Sequence, residues 1–186
     1  MGKIISRVAT AIILAICALF VARCIIMADK STFSKPIATD ELREAYADGD
    51  LQLLTAETYR ENSVEGYFSA YGFYYEPTSG EVQFAVRWND SAYEYTGMSP
   101  LVDFTFHLGN NTTGETFPAV SVDTDKKFMY NYRKMIADGV VVGENDEIEV
   151  VMELRDGYES TQVIKYAEQP FEEYKISGKL KKQILQ

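Results

Sequence analysis

The feature that most constrains this chain is an apolar run close to its start. Residues 8 to 22 are uninterrupted by charge, with Thr10 the one polar side chain among them, and after Arg23 the run resumes to Ala28. From Val8 to Ala28 this is 21 residues, roughly 31 Å of helix, which matches the hydrocarbon thickness of a bilayer. Val8, Leu14, Phe20 and Ala28 mark the length of the expected anchor. Arg23 falls a little over one turn from its distal end, where a long side chain snorkels to the headgroups. Lys3 and Arg7, in the short leader 1–7, resemble the basic region of a signal or signal-anchor.

Such a segment can be kept, cleaved by signal peptidase, or lipidated at a cysteine. Cleavage wants small residues at the −3 and −1 positions, and the best candidate, Ile26-Met27-Ala28, has only the second. Lipidation wants a small residue before the cysteine, yet Arg23 precedes Cys24 and Ile16 precedes Cys17. The expectation is therefore a retained, single-pass anchor whose first partner is the lipid bilayer. Lysine and arginine counts near the two ends do not favour a cytoplasmic N-terminus, since Arg23, Lys30, Lys35 and Arg43 oppose Lys3 and Arg7. The leader nevertheless looks like an export signal, and long domains translocate largely regardless of charge. The C-terminal domain is accordingly expected outside the cytoplasm.

Cys17 and Cys24 are the two cysteines, seven residues apart on nearly one helix face. A dimer contact or acylation could use that face, although small polarizable residues in a membrane helix ordinarily just pack. The domain beyond has no cysteine, so it must stand on its core rather than on disulfides. Lys3, Arg7 and Arg23 are the only charges before Asp29, which leaves 15 basic and 28 acidic residues, about −13, to the remainder of the 186-residue chain. A domain of that sign repels phosphate backbones, so no nucleic-acid partner is expected, and it does not lie down readily on anionic lipid. Its 13 tyrosines and 10 phenylalanines favour strands over helices.

Residues 29 to 50 read as a stalk containing a short helix: Thr39 is the N-cap, Asp40 and Glu41 sit in the first turn, and Gly49 is the stop. Beyond Asp50 the period becomes two. Val82, Phe84, Val86 and Trp88 alternate with polar or small residues; Val102 to Leu108, Phe117 to Val122, Phe128 to Tyr132 and Ser160 to Tyr166 supply further strand signals. Ile148, Val150, Met152 and Leu154 form the cleanest stripe. Glu76 to Gly80 and Gly109 to Gly114 are turns. Seven or eight half-buried strands predict a mostly β domain over 51–178, an antiparallel β-sandwich with an Ig-like default and a barrel as runner-up. Residues 179–186 read as a basic C-terminal tail. No internal repeat or low-complexity tract is present.

Candidate chemistry is sparse. His107, the single histidine, falls on the polar side of a strand with no thiol in the domain and no Gly-x-Ser-x-Gly elbow, so neither a nucleophilic triad nor a zinc site is expected. No cofactor is implied. Asp123 and Asp125, with Glu144 and Asp146, are loop oxygens of the kind that hold Ca²⁺, without EF-hand spacing. Acidic loops are also ordinary solvated surface. Asn89-Asp-Ser91 and the overlapping triplets from Asn110 match glycosylation acceptors.

The aromatic stretch from Tyr67 to Tyr75 is the most suggestive feature. If it is one regular strand, Tyr67, Tyr71, Phe73 and Tyr75 share a face opposite Phe68, Ala70 and Tyr74. Both faces then carry aromatics, and one needs a cover: either the stalk helix or a neighbouring loop packs over it, or it stays open to stack on sugar rings or a partner. The functional expectation is a non-enzymatic, membrane-tethered interaction or assembly module with an envelope protein as partner. A carbohydrate-binding module using those aromatics is the alternative, and a hydrolase with a carboxylate pair is third.

Overall fold

The computed structural model describes residues 2–49, 52–54, 57–59, 68–89, 104–127, 130–143, 146–154 and 159–165. It opens with α1, Gly2–Phe33, a 32-residue helix. The stretch Ser6–Lys30 is long and apolar enough to cross a membrane, and none of it is buried. Leu14, Leu19 and Phe20 are each more than 60% exposed, which leaves an apolar surface with no protein neighbour to cover it. The helix is longer than the apolar run because nothing stops it at Ala28: no glycine or proline intervenes before Pro36.

Helix α2, Asp40–Asp48, begins as the sequence predicts. The Thr39 hydroxyl accepts the Leu42 N–H at 3.2 Å, and Gly49 closes the helix in the left-handed conformation at φ 82°. Leu42 and Ala45 face inward.

Nine strands follow: β1 Gln52–Leu54, β2 Glu57–Tyr59, β3 Phe68–Glu76, β4 Glu81–Trp88, β5 Phe104–Asn110, β6 Glu115–Lys127, β7 Tyr130–Ala137, β8 Glu147–Leu154 and β9 Glu159–Lys165. All belong to one antiparallel sheet ordered β1-β3-β4-β7-β6-β5-β8-β9-β2. Two stacked sheets were the default expectation; the strands instead pair in one continuous ladder, with no Ig-like division among the described residues. Period-two alternation is common to both architectures, so it does not separate them.

The six strands from β3 to β8 curl into a half-barrel. Phe68 on β3 and Phe106 on β5 stand four places apart in the ladder, roughly 19 Å in a flat sheet. Their ring centroids are 5.7 Å apart. The edge strands show the same curvature. Leu54 ends β1 at one edge, and Glu57 starts β2 at the other, three residues later; that much chain reaches at most about 11 Å. Inside the curl, Phe68, Phe84, Trp88, Phe106, Leu108, Ile148 and Met152 form the core with Val82, Val86 and Val150.

Two bulges break the alternation. On β3 the register passes from Tyr71↔Ala85 to Tyr74↔Gln83, one residue longer than its partner. Gly72 makes this possible: its φ is 66°, and a Cβ there would stand 2.9 Å from the Ser34 carbonyl oxygen. The inward set therefore changes phase, from Phe68 and Ala70 to Phe73 and Tyr75. On β6 a second extra residue lies between Ser121 and Asp123.

Candidate functional site

The bulge at Gly72 decides where the aromatic stretch goes. Phe73 turns into the half-barrel and stacks on Phe84 at 5.4 Å between centroids. Tyr75 joins it there and donates its hydroxyl to the Val140 carbonyl at 3.2 Å. Tyr71 and Tyr74 go to the outer face, where both remain buried. The single face expected to hold Tyr71, Phe73 and Tyr75 is thus split, and none of the three is open to solvent. Tyr67 lies outside the described residues.

What covers the outer face is the end of α1 and the segment after it. Phe33 stacks on Tyr132 of β7 with centroids 4.8 Å apart and planes 19° from parallel. Together with Tyr71, Ala85 and Tyr130 they make a small second core. Residues 34–39 then run along β4. The Gln83 side chain accepts the Ile37 N–H at 2.7 Å and returns its own N–H to the Ile37 carbonyl at 2.9 Å, as a neighbouring strand would. Glu81 accepts from the Thr39 hydroxyl and from Gln83, both at 2.8 Å. The stretch read as a stalk is a strap laid on the sheet. Between it and β3–β4 remains a crevice of about 10 Å³ beside Gly72 and Tyr74, the lower limit for one water.

Cations gather at this junction, against the acidic composition. The Lys30 ammonium lies 4.8 Å from the centre of the Tyr71 ring, and the Arg87 guanidinium 4.5 Å from that of Tyr130. Lys127 pairs with Asp125 at 2.6 Å and lies within electrostatic reach of Asp29. Burial pushes the Tyr71 phenol up, the nearby Tyr132 adds to this, and Arg87 opposes it. Burial likewise raises Tyr132 against the pull of Arg87. Tyr74 is pushed up to about 12 by burial alone.

The oxygen ligands do not assemble. Asp125 accepts the Lys126 N–H at 2.8 Å and holds Lys127, while Asp123 stands exposed opposite Lys134. Asp146 ties the loop before β8, accepting the Gly143 N–H at 2.7 Å and the Asn110 amide at 2.8 Å; these bonds hold its carboxyl below the usual range. The neighbour of Asn110 on β6 is Glu115, ten residues from Asp125 along the strand, roughly 33 Å. Glu144 lies outside the described residues. Among those described, no cluster of three or more His, Cys, Asp or Glu could hold a metal. His107 points to the outer side of β5, partly exposed, as its place in the alternation predicts. Val8 and Phe20 of the anchor are exposed, as are Arg23, Ala28, Cys17 and Cys24.

The junction itself escaped sequence reading. Arg87, Tyr130 and Tyr132 are outward positions of their strands, and an aromatic–cationic set of outward residues was the signal available. No family model matches the chain, and no curated protein matches it in sequence.

Proposed function

We propose that this chain is a single-pass, membrane-anchored protein whose β domain works outside the cytoplasm as a non-enzymatic interaction or assembly module. One observation carries the reading: the bare apolar stretch of α1 continues without a break into a turn whose Phe33 is stacked into the sheet. A segment removed after export has no need to be built into the domain it delivers. A helix so docked holds the domain against the bilayer surface in a fixed attitude, which suits a part that must meet partners in the same membrane.

The interaction reading draws support from β6. Val120 and Val122 are 63% and 45% exposed on a 13-residue strand, an apolar element for a protein partner to cover. The carbohydrate alternative rested on an open row of aromatics, and the burial of Tyr71, Phe73 and Tyr75 removes that support. Among the described carboxylates Glu76 and Glu81 face each other, but both are buried and taken up by hydrogen bonds from Thr78, Ser79, Thr39 and Gln83, so the hydrolase alternative gains no open carboxylate pair from them.

Two measurements test the proposal. Intact mass of the membrane-extracted protein should include α1, and external protease should degrade the domain in intact cells with an opened outer barrier. A mass lacking residues 1–28 would overturn the anchor, and full protection would overturn the orientation. For the interaction, in-cell crosslinking from position 120 or 122 should give one discrete adduct, lost on Val122→Lys; a ladder of unrelated adducts would sink it.

A further inference from the structure

The Tyr71 hydroxyl has no hydrogen-bond partner, and the Tyr132 hydroxyl meets only the Arg87 guanidinium, which leaves its own proton without an acceptor, although both residues are more than nine-tenths buried. A buried hydroxyl proton without an acceptor is costly enough to call for an explanation. The two phenols feel each other electrostatically, and both feel Arg87. Lys30 in turn lies close enough to Arg87 for their charges to repel. The guanidinium approaches the Tyr132 hydroxyl, but arginine and lysine can only donate. Four donor groups therefore converge; a phenol oxygen can accept from the guanidinium or the ammonium, but the phenol protons find no acceptor among the four except the other phenol. The Asp29 carboxylate lies within electrostatic reach of Tyr132 and also of Lys127. With Asp125, which is taken up by Lys127, there are two anions beside three cations.

Depth supplies the second argument. Ala28 is the last residue of the apolar run. Lys30 lies about 3 Å beyond it and Phe33 about 7.5 Å, at helical rise. A headgroup layer is roughly 5–7 Å thick. Residues that touch Lys30 and Phe33 stand at the level of lipid phosphates, where tyrosine, lysine and arginine are the usual belt.

We propose that the junction of α1 with the sheet binds the phosphodiester of a membrane phospholipid, with Lys30 and Arg87 as its charged donors and the Tyr71 and Tyr132 hydroxyls as the neutral ones. This rests on the retained anchor proposed above. A phosphodiester carries only acceptors on its charged oxygens, the complement of an all-donor site, and charge-assisted bonds to it are the strong kind. Lys30 and Arg87 are partly exposed, so the lipid would meet these two cations first, ahead of the covered phenol oxygens. The acidic remainder of the domain keeps it from binding anionic surfaces elsewhere, which makes the attachment local.

The test is native mass spectrometry of the full-length chain released from micelles doped with phosphatidylglycerol. One retained lipid is expected, weakened about ten-fold by Arg87→Gln and several-fold by Tyr132→Phe, and unaffected by Arg43→Gln, whose side chain reaches Asp40 instead. Tyr132→Phe keeps the ring on Phe33, and with its unaccepted hydroxyl proton gone it should melt no lower than the parent when lipid-free. Loss of lipid retention without loss of stability is what a merely structural tyrosine would not give. Millimolar inorganic phosphate should fail to displace the lipid; displacement would show a free-anion site and overturn the proposal. Equal retention by the Arg87 and Arg43 variants, or no lipid on a chain of full mass, would overturn the site while leaving the anchor intact. A mass lacking α1 would overturn both.

Discussion

Glu76 and Glu81 face each other across the hairpin between β3 and β4, and both are nearly buried. Their environments drive them in opposite directions. Burial pushes Glu76 up, but the Ser79 and Thr78 N–H groups, donating at 2.5 and 2.6 Å, outweigh it and hold its carboxyl below the ordinary value. For Glu81 burial dominates over the bonds from Gln83 and Thr39, and its carboxyl is raised. A raised carboxyl is protonated more readily in the folded chain, so its stabilising contribution is full below the unfolded value and is lost as pH rises through the folded one. Glu81→Gln should therefore raise the melting temperature at pH 7, and the gain should vanish below about pH 4, the ordinary carboxylate range. A melting curve taken at several pH values checks it; a Gln variant less stable at pH 7 would refute the assignment. Gly72 is the other residue on which much depends. Gly72→Ala should cost about 2 kcal/mol or more, because the left-handed backbone and the Ser34 contact both exclude a Cβ. Chemical denaturation of the full chain in detergent measures it.

Among the elements, the pairing of α1 with β7 matters most, since it fixes the end of the apolar helix on the sheet and would make the proposed anchor a fixed mount. The stacked ring of Phe33 is the pin, and the Gln83 clamp on Ile37 continues the attachment. Phe33→Ala should destabilise the junction by about 3 kcal/mol and raise hydrogen exchange at the Ile37 amide, while the exchange of Val86 in the sheet interior stays slow. If the Ile37 amide exchanges no faster, the strap is held without the helix. Much of this level was legible beforehand: Thr39 and Gly49 bound α2 where cap chemistry puts them, and the alternation from Val82 to Trp88 and from Ile148 to Met152 matches their inward faces. The destination of the aromatic stretch was not. One inserted residue at Gly72 exchanges the faces of everything after it, and a period-two count has no means of seeing a bulge.

At the scale of the molecule, the described residues inside the curled sheet form one core, and contacts such as Phe68 with Phe106 join strands four places apart. Unfolding of the domain should then be a single transition, and Phe106→Ala should lower it as a whole by about 3–5 kcal/mol rather than split it. Two separate transitions by fluorescence and circular dichroism would contradict a common core. Both cysteines lie in α1, so reducing agent should leave that transition where it is.

The sequence by itself determined the apolar span, its length against a bilayer, the β character of the remainder, the ends of the short helix and the inward faces of β4, β5 and β8, but not that of β7, whose Tyr130 and Tyr132 face outward, nor the exposure of Val120 and Val122 on β6. These follow from local chemistry: helical rise, side-chain period, capping residues and turn residues. Only the tertiary structure decided that the strands make one curled sheet instead of two, that the aromatics after Gly72 change sides, and that the helix end lies over Tyr71 and Tyr132. Each of these depends on which distant segments pair. The same alternating strand serves a sandwich or a half-barrel, and only the pairing of β5 with both β6 and β8, within one unbroken ladder, chooses between them.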